Sequence, residues 1–198
     1  MISYIHITDY FNNHNAQECD VCNNADDFLC SVITDDEILC AINSLKKGKA
    51  SGEDGIPVEV FQALSSLLMP YISCLFNHVL DTGVFPDSWN IGLIITLHKS
   101  GDKKDPNNYR GIALLNSLNK IFTTIIDNRI KLWISSQNYL SEHQAGFREE
   151  RSTIDHIFTL NSLAHKYLRK KGGKFYCLFV DFRKSFDSVN RSKLIYVM

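Results

Sequence analysis

Lys174-Phe-Tyr-Cys-Leu-Phe-Val-Asp181-Phe-Arg-Lys-Ser-Phe186-Asp187 is the stretch that decides how this chain is read. Six apolar or aromatic residues, Phe175 to Val180, run straight into a carboxylate, with Gly172-Gly173 just before them. A run that short, bounded by glycine and rich in β-formers, predicts a strand buried on both faces. Burying a charge without partners is costly, so an acid at the end of such a strand calls for a cation, a hydrogen-bond shell or an exposed sheet edge. A rigid strand would hold Asp181 where it could ligate a metal ion. Taken by itself, the stretch fits a simple strand stop or helix cap more readily. The rest of the chain reverses that preference.

The chain has 198 residues, 44% hydrophobic and 22% charged, a composition ordinary for a folded domain. Its net charge of −1 conceals an asymmetry. Residues 1–62 hold three Lys+Arg and eleven Asp+Glu, whereas residues 63–198 hold eighteen and eleven. An acidic leader and a basic body able to meet phosphates is one reading, and a chance surface imbalance is the other. No apolar run is long enough to span a membrane, and Met1-Ile-Ser-Tyr-Ile-His6 lacks the basic start of a signal peptide. The six cysteines are therefore expected to be reduced, inside a cell. Cys19-Asp-Val-Cys22 opens like a zinc site, but the later spacings fit no common finger. Cys40 and Cys177 are read as small core residues.

Residues 1–33 show no sustained period and are expected to form a poorly ordered leader, with a domain following at 34–198. Thr34-Asp-Asp-Glu37 is a capping box for a helix over 35–47. Lys46 to Gly55 is too glycine-rich for regular structure. Pro57 and Pro70 are each expected to open a helix, the second ending at Gly83. Ile91 to Leu97 and Tyr109 to Leu115 predict a hairpin across a polar turn. A long helix from Ser117 should turn Ile121, Ile125, Ile126 and Ile130 inward. A loop over 137–150 leads to a helix begun by Ser152-Thr-Ile-Asp155, and a last helix starts at Arg191. Leu194, Ile195 and Val197 have no evident packing partner, so the ending reads as a truncation.

Four blocks in order carry a resemblance. They are Lys49-Ala-Ser-Gly-Glu-Asp-Gly-Ile-Pro57; Leu97-His-Lys99 through Asn108-Tyr-Arg110-Gly-Ile-Ala-Leu-Leu115; Gln144-Ala-Gly-Phe-Arg148; and Phe179-Val-Asp181-Phe-Arg-Lys-Ser-Phe186-Asp187. Together they resemble the reverse transcriptases of non-LTR retrotransposons, the LINE class with jockey-like and RTE-like members. The resemblance implies an α+β fold: a partial right-hand polymerase with fingers and an incomplete palm, helix-rich, with a β-hairpin and a buried palm strand. It implies RNA-directed DNA synthesis from deoxynucleoside triphosphates on an RNA template and a DNA primer, in the nucleus for the full-length protein. Two Mg²⁺ ions about 4 Å apart would clamp the reacting oxygens, with Mn²⁺ as a substitute.

Within that resemblance Asp181 is the catalytic acid that ligates both metals, and the Phe182 backbone carbonyl is a further ligand. Phe186 matches the aromatic under the sugar, which disfavours a ribose 2′-hydroxyl. Asp187 reads as a structural cap. Arg110 matches the finger arginine on the incoming triphosphate, a fork of donors suited to phosphate oxygens. Lys99 is a second triphosphate candidate, or else a solvated turn lysine. Gln144 falls at the nucleotide pocket, and Phe147 and Arg148 near the template, where Phe147 could equally be core. Lys49, with Lys46 and Lys47, is a template candidate or a solvated face.

The family carries two further palm acids in a Tyr/Phe-Ala-Asp-Asp hairpin, and no Asp-Asp follows Asp181. One carboxylate cannot hold two Mg²⁺ ions tightly. The chain alone is therefore expected to be inactive, with a C-terminal palm and thumb required. The alternative is a non-catalytic nucleic-acid-binding remnant of a mobile element.

Overall fold

The computed structural model describes residues 3–6, 26–137, 139–148, 150–182 and 185–197. The chain divides into two units, Met1–Leu140 and Ser141–Met198.

In the first unit a short strand, β1 (Ser3–His6), precedes five helices and the hairpin. Helix α1 (Asp26–Cys30) leads to α2 (Asp35–Ser44), whose capping box is formed: the Glu37 amide donates to Thr34 Oγ1, and the Glu37 carboxylate accepts from the Thr34 amide. Two helices follow, α3 (Val58–Ala63) after Pro57 and α4 (Ser65–Thr82). Pro70 does not open α4, as the sequence suggested, but lies within it. The helix starts earlier because Leu64 serves both as the C-cap of α3 and the N-cap of α4, its carbonyl accepting from Leu67 and Leu68. Gly83 ends α4 at φ 67°, the left-handed cap conformation that favours glycine.

Strands β2 (Ile91–His98) and β3 (Tyr109–Leu114) form the expected hairpin. Strand β1 adds to the other edge of β2, giving the antiparallel order β1-β2-β3 with Ser3 opposite Ile94 and His6 opposite Ile91. This strand and α1 lie in a stretch whose sequence shows no sustained period. Pairing there is supplied by backbone groups along an open sheet edge, which no side-chain pattern announces. Helix α5 (Ser117–Gln137) closes the unit. One core unites Ile33, Ile38, Ala41 and Ile42 with Phe61, Ile72, Phe76, Val79, Trp89, Ile121, Phe122 and Ile125. Cys40 is exposed, as are Cys30 and Cys74, which corrects the reading of Cys40 as core.

An arginine is part of this interior. Arg129 on α5 is 2% exposed. Its Nε and Nη2 donate to the two Glu37 carboxylate oxygens at 2.7 and 2.9 Å. Its Nη1 donates to the carbonyls of Leu29 and Ser31 at 3.1 and 2.6 Å, and Nη2 also to that of Val32 at 3.1 Å. The hydrogen bond from Arg129, more than any other contact, lowers the Glu37 pKa from 4.5 to about 2. A depressed carboxylate stabilises the fold above its unfolded pKa and loses that contribution as pH falls through the folded one. Unfolding free energy should therefore hold level from pH 7 to 5. It should then decline between pH 5 and 2 by about 2 kcal/mol from this pair, less than full linkage because Glu37 is 30% exposed and screened. Urea titrations at several pH values, compared with Glu37→Gln, check this: the variant should lack that part of the acid dependence.

The second unit holds α6 (Thr153–Leu168), α7 (Ser185–Ser188) and α8 (Arg191–Val197). A second capping box opens α6, with the Ser152 amide donating to the Asp155 carboxylate at 2.7 Å. The expected buried strand at 175–180 is absent. Residues 173–182 belong to no sheet, and Phe179 is 79% exposed. Cys177 is exposed with them. A run of β-formers becomes a central strand only where other strands offer their edges, and no strand occurs among the described residues of this unit.

Candidate functional site

The hairpin places two of the sequence-predicted cations. Arg110 on β3 lies opposite Leu97 on β2. The Lys99 amide donates to the Asn108 carbonyl at 2.8 Å, so the ladder continues one step beyond β2. Side chains alternate along a strand and directly opposed residues share a face. Lys99, two residues past Leu97, thus stands on the face of Arg110 as its diagonal neighbour, about 7 Å away. The opposite face is marked by the rings of His98 and Tyr109, 5.2 Å apart. Both cations are exposed, and exposed Ile95, Leu97 and Ile112 share their face.

The loop 46–57 sits at the junction of this hairpin with α5. Lys46, Lys47 and Lys49 are exposed on it. Its backbone is fastened by residues the sequence reading did not single out. The Asn116 Oδ1 accepts from the Asp54 amide at 3.5 Å while its Nδ2 donates to the Ser88 carbonyl at 3.0 Å. The Ser117 hydroxyl donates to the Ile56 carbonyl at 2.7 Å, and Lys120 Nζ to the Ala50 carbonyl at 3.2 Å. Glu59 accepts from the Gly48 amide, the main cause of its lowered pKa.

In the second unit, Gln144 is exposed in the loop before α6. Arg148 is turned into that loop, donating to the Ser141 carbonyl at 2.9 Å and approaching Glu142 at 3.5 Å. Phe147 has φ 61°, a left-handed conformation rare for a bulky residue, and its ring meets that of Phe186 edge to face at 6.1 Å. Two residues read separately as nucleotide- and template-side candidates are thereby brought together. Asp181 and Phe182 are exposed and belong to no helix or strand. The capping role read for Asp187 lies outside the described side chains, and so do Cys19 and Cys22.

Residues 101–198 match the family described as reverse transcriptase (RNA-dependent DNA polymerase). The chain is 32% identical over 163 residues to the probable RNA-directed DNA polymerase from transposon BS of Drosophila melanogaster, covering 81% of this chain and 18% of that one. It is 34% identical over 156 residues to the corresponding protein of transposon X-element from the same fly, covering 77% and 17%. With the RNA-directed DNA polymerase from mobile element jockey it shares 31% over 169 residues, covering 84% and 18%. The chain belongs to the reverse transcriptases of non-LTR retrotransposons. It spans under a fifth of the length of these relatives.

Reverse transcriptases of this family use divalent metals. Among the described residues no three His, Cys, Asp or Glu side chains come together. Mg²⁺ takes oxygen ligands and is held weakly by protein through a single carboxylate such as that expected of Asp181. The described residues therefore do not make a two-metal site by themselves. No helix among them is long and apolar enough to cross a membrane.

Proposed function

We propose that this chain contributes the fingers and the first part of the palm of a right-hand RNA-directed DNA polymerase. Its hairpin would receive a deoxynucleoside triphosphate. What supports this most directly is the shared face of Lys99 and Arg110. Two exposed cations a diagonal apart can engage adjoining phosphates, the arginine as a fork and the lysine as a point charge. The apolar Ile95, Leu97 and Ile112 beside them suit a base or sugar. Asp181, with the Phe182 carbonyl, would contribute one corner of the Mg²⁺ or Mn²⁺ site, which further carboxylates would complete. In the second unit, Phe186 and Gln144 would be the nucleotide-side residues. Phe147, Arg148 and Lys49 would face an RNA template paired with a DNA primer. The active protein would work in the nucleus.

The test is titration of the chain with a fluorescent deoxynucleoside triphosphate. Arg110→Ala should weaken binding about tenfold and Lys99→Ala less, in line with charge-assisted bonds to phosphate. Equal affinity for Arg110→Ala and the parent chain would remove this reading. The same preparations should incorporate no dTTP on poly(rA)/oligo(dT). Incorporation abolished by Asp181→Ala would overturn the inactivity of the chain alone. A non-catalytic nucleic-acid-binding role is the second reading, favoured by the exposed Lys46, Lys47 and Lys49.

A further inference from the structure

We infer that Asn116, Ser117 and Gly52 are positioning residues that hold the basic loop 46–57 in one conformation, so that Lys46, Lys47 and Lys49 meet the phosphates of single-stranded RNA at fixed spacing. The inference rests on the nucleic-acid reading above and adds how the loop is made fit for it.

A polar loop with three glycines would ordinarily sample many conformations. This one is tied to the body at four places along its length and once just before it. Gln62 Nε2 donates to the Leu45 carbonyl at 3.0 Å where the loop leaves α2. Glu59 takes the Gly48 amide, Lys120 the Ala50 carbonyl, Asn116 the Asp54 amide and Ser117 the Ile56 carbonyl. Asn116 and Ser117 are themselves buried, 4% and 2% exposed. Within the loop, the Gly55 amide donates to the Gly52 carbonyl at 3.2 Å and the Ile56 amide to the Asp54 carboxylate at 3.1 Å. That turns one of the loop's two acids back onto its own backbone.

Gly52 fixes how closely the loop lies on the start of α5. A Cβ there would press on Asn116 Oδ1 and stand 2.5 Å from the Asn116 backbone nitrogen and 2.6 Å from the Leu115 carbonyl carbon. Backbone atoms cannot swing aside as a flexible side chain does, so any residue but glycine must lift the loop. Three lysines within four residues, exposed on a loop anchored in this way, form a cationic edge of set shape. Binding then need not freeze the loop first, which is the gain preorganisation brings. The phosphate backbone is the partner such an edge fits, because it repeats charge at regular intervals.

The test measures binding of labelled oligo(rA) over a range of salt, on the full chain, with stoichiometric titration to count folded molecules. Removing the three lysines together (K46A/K47A/K49A) should lower the slope of log affinity against log salt by about 2, at about 0.7 per contact to a single strand. Gly52→Ala changes no charge. It should leave that slope intact and weaken binding about tenfold, the effect of ordering a freed loop residue on binding. Ser117→Ala, which cuts one tie without inserting an atom, should do the same to a smaller degree. The core variant Val79→Ala, destabilised but remote in role, should change neither slope nor affinity. Unchanged affinity in both Gly52→Ala and Ser117→Ala would overturn the positioning inference alone. Equal weakening by Val79→Ala would overturn it too, since the effect would be general loss of stability. Salt-independent binding, or none, by the unaltered chain would overturn the nucleic-acid reading and this inference with it.

Discussion

Arg129→Ala should cost about 3–5 kcal/mol of stability, the range for stripping one partner from a buried ion pair. The guanidinium serves four groups at once: the Glu37 carboxylate and the carbonyls of Leu29, Ser31 and Val32. It also lies 6.0 Å from the centre of the Phe28 ring. Truncation strips the donor from those carbonyls and leaves the segment between α1 and α2 held by a side chain at Ile33, whose amide and carbonyl bond Asn77 at 2.7 and 3.1 Å. Glu37→Gln should cost less, about 1–2 kcal/mol, because an amide oxygen still accepts from Arg129 and the site is partly open to water. The double variant should be close to Arg129→Ala alone, since the two residues act as one unit. Urea denaturation followed by circular dichroism measures all three. Hydrogen exchange should show amides of residues 29–34 losing protection before those of α4. Arg129→Ala unfolding within 1 kcal/mol of the parent would show the network to be dispensable, as scattered surface pairs are.

Part of this could be read in advance. Arg129 falls four residues after Ile125 and eight after Ile121, on the inward face of α5. The helical period therefore carries its direction, although the inward face is read from the isoleucines alone. What the period lacked was a partner, because Glu37 is far off in sequence and was already spoken for as a capping-box residue. The local signals fared well: Thr34 with Glu37, Ser152 with Asp155, the left-handed stop at Gly83 and the hairpin turn all depend on atoms within a few residues. Phe175 to Val180 shows the converse. The run reads as a buried strand because its residues favour one, yet ladder partners and covering layers are non-local, and the described unit offers neither. Of the candidate site, Lys99 and Arg110 were legible as two residues but not as one face, since that depends on register across the turn. Ser117 reads in sequence as a mere helix start, and Asn116 carries no reading at all. Small polar residues between a strand and a helix are a weak signal until the loop they hold is seen.

Phe76→Ala should be the other large loss, about 3–5 kcal/mol, the usual cost of emptying a buried phenyl site. Phe76 is 0% exposed at the middle of the first unit's core. Its ring meets Trp89 at 5.9 Å and Phe122 at 5.3 Å, both edge to face, so three elements converge on it: α4, the turn before β2, and α5. Trp89 and Phe122 are in turn 5.6 Å apart, which leaves the two rings supporting each other around a void instead of closing it. Phe76→Leu keeps most of the apolar volume and should cost about 1–2 kcal/mol, losing mainly the edge-to-face contacts. Tyr71→Ala on the same helix, where the side chain is 73% exposed, should stay within about 0.5 kcal/mol. Thermal melts should order the variants Tyr71→Ala, Phe76→Leu, Phe76→Ala, with the last lowered by roughly 10 °C or more. Tryptophan fluorescence should shift in Phe76→Ala before global unfolding, as Trp89 gains access to water. If Phe76→Ala melted with Tyr71→Ala, the three rings would not be the centre on which the hairpin and α5 are set, and the face carrying Lys99 and Arg110 would owe its placement to something else.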